Sequence, residues 1–134
     1  MIARNFLLSA IAAATLALPG PALAQAGFDL AELTAGCTAG HCSRTVAAIL
    51  ARLRRLGLTQ AQINSVLGQM AGALVQLART DPAIADDVGA SLELVAEEST
   101  DSVQRAAIRQ VAQIVAAGDA ETIDLGTAVA GSAT

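Results

Sequence analysis

The two cysteines and the single histidine of this chain lie together in the stretch Cys37-Thr-Ala-Gly-His41-Cys42. Thiols and an imidazole this close could form a metal site, a redox centre or a disulfide-closed loop. Haem attachment requires Cys-x-x-Cys-His and a thioredoxin-type centre requires Cys-x-x-Cys, so neither motif fits this spacing. We predict a disulfide between Cys37 and Cys42. The alternative is a two-thiolate site for a soft ion such as Cu(I), with His41 as a further candidate ligand.

The start of the chain indicates the compartment in which these thiols would be found. Arg4 precedes an apolar run at residues 6–18, and the small residues of Ala22-Leu23-Ala24 follow. This pattern predicts a secretory signal peptide over residues 1–24, cleaved between Ala24 and Gln25. A membrane anchor would need about 20 apolar residues. We therefore expect a secreted or periplasmic protein without a transmembrane segment in the mature chain, and an environment in which paired cysteines oxidise.

The remaining chain, residues 25–134, is long enough for one domain with one core. Apolar residues recur at spacings of three and four in its long segments, which is typical of amphipathic α-helices. The sequence predicts an all-α fold, a small antiparallel bundle of four main helices plus a short N-terminal helix. We expect the helical domain at 25–118 and a partly ordered tail at 119–134. The predicted core positions are Val46, Ile49, Leu50, Leu53, Leu56, Ile63, Val66, Leu67, Met70, Leu74, Leu77, Ile84, Val88, Leu92, Val95, Val103, Ala107, Ile108, Val111, Ile114 and Val115.

Residues typical of helix ends predict where these helices begin and stop. Two capping boxes are expected, one formed by Asp29 and Glu32 and the other by Thr59 and Gln62. An N-cap is expected from Ser43 after the cysteine loop, from Asp81 before Pro82, and from the Ser-Thr-Asp stretch at 99–101. Glycines should end the helices, and the predicted stops are Gly36, Gly57 and Gly118.

The inventory of reactive side chains argues against an enzyme. A Ser-His-Asp or Cys-His arrangement would have to use His41, and neither Gly-x-Ser-x-Gly nor a glycine-rich phosphate loop occurs. Glu93, Glu97 and Glu98 lie close in sequence, but a solvated helix face is the common reason for such a group. An acidic chain without lysine is also a poor candidate for nucleic-acid binding. We expect no catalytic residue and no cofactor.

Charge is distributed unevenly along the chain. Residues 25–80 contain five arginines and two acidic residues, a net charge of +3, whereas residues 81–134 contain two arginines and ten acidic residues, a net charge of −8. Attraction between the two halves has two possible geometries. Either the arginines lie near the glutamates within one bundle, or complementary ends pair head to tail between chains. The candidate interaction residues are Arg52, Arg54, Arg55, Glu93, Glu97 and Glu98.

Gly68 and Gly72 form a Gly-x-x-x-Gly pattern inside the longest predicted helix. Each glycine costs a helix about 1 kcal/mol relative to alanine, so we expect a compensating close approach of another backbone. Packing within the bundle and a seam between two chains both satisfy this expectation.

These observations favour a secreted or periplasmic, non-catalytic helical binding or structural protein, with a protein partner or self-association. Two other classes stay open. One is a thiol-based metal-binding or redox protein that uses Cys37 and Cys42. The other is a chaperone-like holder of unfolded clients in the periplasm.

Overall fold

The computed structural model describes residues 28–125, in which the regular structure is entirely helical and no strand occurs. The α-helices are α1 (Leu30–Thr38), α2 (Cys42–Arg54), α3 (Gln60–Thr80), α4 (Ala85–Glu98) and α5 (Ser102–Ala116). Two 3-10 turns, at Pro82–Ile84 and Ala120–Thr122, precede α4 and follow α5. The predicted all-α bundle of four main helices and one short N-terminal helix is therefore confirmed. None of the helices within 28–125 is long and apolar enough to cross a membrane.

Successive helices run in opposite directions, and α4 packs against α2, α3 and α5. Arg54 near the end of α2 binds Glu98 at the end of α4. Asn64, the fifth residue of α3, donates to Thr100, just before α5 begins. The starts of α1, α3 and α5 therefore lie with the ends of α2 and α4, and we call this region the upper end. The opposite region, which contains the cysteine loop and the start of α4, is the lower end.

The core consists largely of the residues that helical periodicity selected. Burying each large aliphatic side chain contributes about 1.5–3 kcal/mol, so this shared stripe is the main source of stability. The predicted core residues that are buried are Val46, Ile49, Leu50, Leu53, Ile63, Val66, Leu67, Met70, Leu74, Val88, Leu92, Val95, Ile108, Val111 and Val115. Leu77, Ile84 and Ile114 are partly buried against them.

The core prediction is wrong for Leu56 and Val103, whose side chains are 52% and 68% exposed. Leu56 lies beyond Arg55, which caps the end of α2, so the helical spacing no longer points it inward. In the first turn of α5 it is Gln104 that turns towards the core. Its side chain bonds Ser99 Oγ at 2.6 Å and donates to the Asn64 carbonyl at 2.8 Å.

The predicted helix ends are confirmed at some positions and wrong at others. Thr59 and Gln62 form the expected capping box at the start of α3. At α1, Asp29 accepts hydrogen bonds from the backbone, but Glu32 pairs with Arg52 of α2 instead of completing a box. The first helix also continues through Gly36 to Thr38, so Gly36 is not its stop.

Three glycines with positive φ lie just beyond helix ends. They are Gly40 (φ 87°), Gly57 (φ 73°) and Gly118 (φ 88°). A left-handed residue at this position ends a helix, and glycine adopts that conformation without a steric penalty. The predicted stops at Gly57 and Gly118 are confirmed, and Gly40 occupies the role that the sequence assigned to Gly36.

Part of the predicted tail packs against the bundle. Ala120 and Ile123 are buried at the lower end. Arg79, near the end of α3, donates from Nε to the Ala120 carbonyl at 3.1 Å and from a terminal nitrogen to the Ile123 carbonyl. The side chain thereby holds the backbone that follows α5. The rest of the tail, residues 126–134, and the predicted signal peptide lie outside the described residues.

Candidate functional site

The predicted disulfide is present, since the sulfur atoms of Cys37 and Cys42 are 2.00 Å apart. Cys37 lies in the last turn of α1 and Cys42 is the first residue of α2. Both residues are fully buried and belong to the hydrophobic core. The bond therefore joins two helices from inside the protein and leaves neither sulfur exposed for exchange or metal binding.

The start of α2 is capped by a side chain from another helix. Asp87 of α4 accepts from the Cys42 backbone N–H at 2.9 Å, from the Ser43 N–H at 3.4 Å and from the Ser43 hydroxyl at 3.0 Å. A carboxylate here satisfies free N–H groups and interacts favourably with the helix dipole. The prediction of Ser43 as the N-cap is therefore wrong, because the N-cap position is His41, two residues earlier, and the capping side chain comes from Asp87 of another helix.

We expect Asp87→Ala to lower the free energy of unfolding by about 1–3 kcal/mol, because two N–H groups and a hydroxyl lose their acceptor. Urea unfolding followed by helical circular dichroism measures this change. Asp86→Ala is the matched control, since it removes an exposed carboxylate from the same turn of α4 and should cost less than about 1 kcal/mol. Equal losses in the two variants would show that Asp87 acts only through its charge at the start of α4.

His41 occupies the N-cap position of α2, and its carbonyl accepts from the Thr45 N–H at 2.9 Å, but its side chain does not cap the helix. Its side chain is exposed and makes no capping hydrogen bond to the helix that follows it. Within residues 28–125, no group of three or more histidine, cysteine, aspartate or glutamate side chains could hold a metal ion. The candidate metal ligands Cys37, His41 and Cys42 thus do not form a metal-binding group in this structure.

The candidate interaction residues separate into paired and unpaired groups. Arg54 binds Glu98 through two hydrogen bonds of 2.9 and 2.7 Å, and these bonds and the nearby charge raise the pKa of its guanidinium. This pair joins α2 to α4 as expected for contact within one bundle. Arg55, which follows Arg54, and Glu97, which precedes Glu98, are exposed and form no ion pair within residues 28–125.

The other two charged candidates contact residues that the sequence analysis did not pair with them. Arg52 binds Glu32 of α1. Glu93 lies 3.8 Å from Arg109 of α5. Each is a surface ion pair that joins neighbouring helices and contributes at most about 1 kcal/mol.

Of the two glycines of the Gly-x-x-x-Gly pattern, Gly68 is buried in α3, whereas Gly72 shows no close approach of another helix. A Cβ atom built at Gly72 would meet nothing within 4 Å. At Gly36 it would lie 2.0 Å from Oγ1 of Thr45 in α2, and at Gly89 it would lie 3.1 Å from the Cβ of Ala116 in α5. The expected compensation by close packing therefore fails for Gly72, whereas Gly36 and Gly89 permit tight contact between helices.

A buried polar cluster at the upper end was not anticipated from the sequence. Ser99 and Gln104 are 1% and 2% exposed, and their side chains hydrogen-bond to each other and to Asn64 near the start of α3. Arg105 donates to the Ser99 carbonyl at 2.7 Å. These bonds fix the turn between α4 and α5 against α3. The only sequence signal was a glutamine three residues after the capping Asp101, which is also typical of exposed positions.

The upper end also carries exposed apolar side chains. Leu30, Leu56 and Val103 are 48%, 52% and 68% exposed, and they are the exposed large hydrophobic residues in the described part of the chain. Leu30 is the first residue of α1, Leu56 follows the end of α2, and Val103 lies in the first turn of α5. We call Leu30, Leu56, Val103, Arg55 and Glu97 together the upper-end surface.

Comparisons with protein-family models, with curated proteins and with solved structures gave no match to this chain.

Proposed function

We propose that this chain is a secreted or periplasmic, non-catalytic protein that binds a protein partner through its upper-end surface. The observation that carries the proposal is the position of the exposed large hydrophobic residues, since all of those within residues 28–125 lie at that end. Elsewhere the helices bury their apolar stripes, and every buried polar side-chain atom in the described residues has a hydrogen-bond partner. Exposed apolar residues bordered by charges are typical of protein interfaces.

The arrangement of titratable side chains supports a non-catalytic role. The side chain of His41 is exposed and makes no capping hydrogen bond to α2. The two cysteines form a buried disulfide. General acid–base and nucleophilic catalysis depend on such groups held in contact with one another. The same disulfide argues against the thiol-based alternative, because metal binding and exchange both require an accessible thiolate.

Site-specific photo-crosslinking in the producing cell tests the binding role. A photoreactive residue in place of Leu56 or Val103 should give one discrete adduct, and the two positions should give the same adduct. The control is the same residue at Ala83, which is exposed at the lower end and should give none. Equal crosslinking from all three positions, or none from any, would refute a binding site at the upper end.

The secretory route has a separate measurement. Expression of the full chain followed by mass spectrometry of the exported protein should show a chain that begins at Gln25. Its mass should be lower than that of its reduced form by the mass of two hydrogen atoms. An intact N-terminus in a protein that stays in the cytoplasm would contradict the proposed compartment.

A further inference from the structure

We propose that the partner of the upper-end surface is a second copy of the same chain, in a closed dimer with the two upper ends together. This inference rests on the proposed function and names its partner. It is argued from a comparison of the exposed charges and exposed apolar residues at the upper end with those at the lower end.

Arg55 and Glu97 give the upper-end surface a cation and an anion without partners in the described residues. Their neighbours Arg54 and Glu98 form an ion pair, so the two free charges stand on adjacent helices at one end of the bundle. In a two-fold symmetric interface, a contact between one residue and another occurs twice with the roles exchanged. Arg55 of each copy can therefore meet Glu97 of the other, and both charges are paired.

Apolar surface favours the same arrangement. An upper end placed on an upper end buries Leu30, Leu56 and Val103 against the same residues of the second copy. An upper end placed on a lower end would lay them against a surface without an exposed large hydrophobic residue among the described positions. Removal of apolar area from water is the main favourable term in association, so only the symmetric arrangement gains it from both sides.

Head-to-tail pairing, the alternative raised by the charge asymmetry of the sequence, also has an electrostatic cost. Acidic side chains at the lower end include Asp81, Asp86, Asp119 and Glu121. Arg55 would be attracted to them, but Glu97 would be repelled. Like charges brought together across an interface select against a wrong partner. Arg44 is also exposed at the lower end, but the acidic side chains there outnumber it. The charges of the upper end are therefore better complemented by a second upper end than by a lower end.

Charge reversal, read out by sedimentation equilibrium of the purified exported protein at low and high salt, tests the proposal. The unaltered protein should be a dimer at low salt and should dissociate more readily at high salt, because salt screens exposed ion pairs. Arg55→Glu and Glu97→Arg should each raise the dissociation constant by about tenfold or more, because two attractive contacts become repulsive in each dimer.

Mixing the two single variants is the decisive arm. In a mixed dimer, the reversed charge of one variant faces the reversed charge of the other, and every contact is again between opposite charges. An equimolar mixture should therefore associate with about the affinity of the unaltered protein, although neither variant does so alone. Arg44→Glu is the matched control, since it makes the same change at an exposed arginine of the lower end and should leave association unchanged.

The outcomes separate this inference from the proposed function. A monomer at all concentrations, or equal effects of Arg55→Glu and Arg44→Glu, would overturn the symmetric dimer. Growth of mass beyond a dimer with rising concentration would also overturn it in favour of head-to-tail assembly. In each case a discrete adduct from Leu56 and Val103 with a different protein would leave the binding role intact. Circular dichroism of each variant verifies that it is folded.

Discussion

Replacing Cys37 and Cys42 together by alanine is expected to lower the free energy of unfolding by about 2–4 kcal/mol. Closing a loop of six residues contributes about 2 kcal/mol through the entropy of the unfolded chain. The remainder comes from packing, because both sulfur atoms are fully buried and alanine leaves their volume unfilled. Urea unfolding of the oxidised protein and of the double variant measures the difference.

The same disulfide should resist reduction while the protein is folded. Thiol–disulfide exchange needs access for the attacking thiolate, and neither sulfur offers it. We expect dithiothreitol to reduce the bond at a rate that rises steeply as urea unfolds the chain, with alkylation and mass spectrometry as the readout. Rapid reduction in native buffer, with full helicity retained, would instead mark the bond as exchangeable and revive the redox interpretation.

Gly36→Ala is expected to destabilise the protein by about 1–3 kcal/mol, although alanine is the better helix former. The new methyl group would lie 2.0 Å from Oγ1 and 2.6 Å from Cβ of Thr45, so α1 and α2 would have to separate. Thermal and urea unfolding provide the measurement. The Cys37–Cys42 disulfide, which begins at the residue after Gly36, holds α1 to α2 and opposes this separation.

Gly72→Ala is the matched control, with the opposite sign. It makes the same chemical change inside α3, at a position where a Cβ meets nothing within 4 Å, and should raise stability by about 0.5–1 kcal/mol. In a Thr45→Gly background the cost of Gly36→Ala should largely disappear, because the clashing side chain is gone. A loss at Gly36 that persists in this background would place its cause outside the contact with α2.

Local patterns were sufficient for the features that depend on local physics. Helical spacing identified most of the core, and Thr59 and Gln62 indicated the start of α3, because a capping box is completed within one turn. The all-α class followed from the same periodicity. Leu56 was misplaced because the spacing continues in sequence beyond Arg55, where the helix has already ended.

Features that depend on contacts between helices were beyond the sequence patterns. Nothing near Ser43 indicates that its helix is capped by Asp87, which lies on α4. Gly36 looks like a helix stop, and only the approach of Thr45 reveals it as a contact point. Gln104 was not among the predicted core residues, because the core was selected from apolar positions, but its partners in α3 and in the turn before α5 make burial favourable.

The remote cap of α2 also has a consequence for the order in which the chain can fold. Asp87 follows Cys42 by 45 residues, whereas Cys37 and Cys42 are separated by 5. In a polypeptide that emerges N-terminus first from a translocation pore into an oxidising compartment, both cysteines are available for pairing long before the carboxylate. The disulfide can therefore join α1 to α2 early. The N-terminus of α2 is capped only later, when α4 has emerged and Asp87 can reach it.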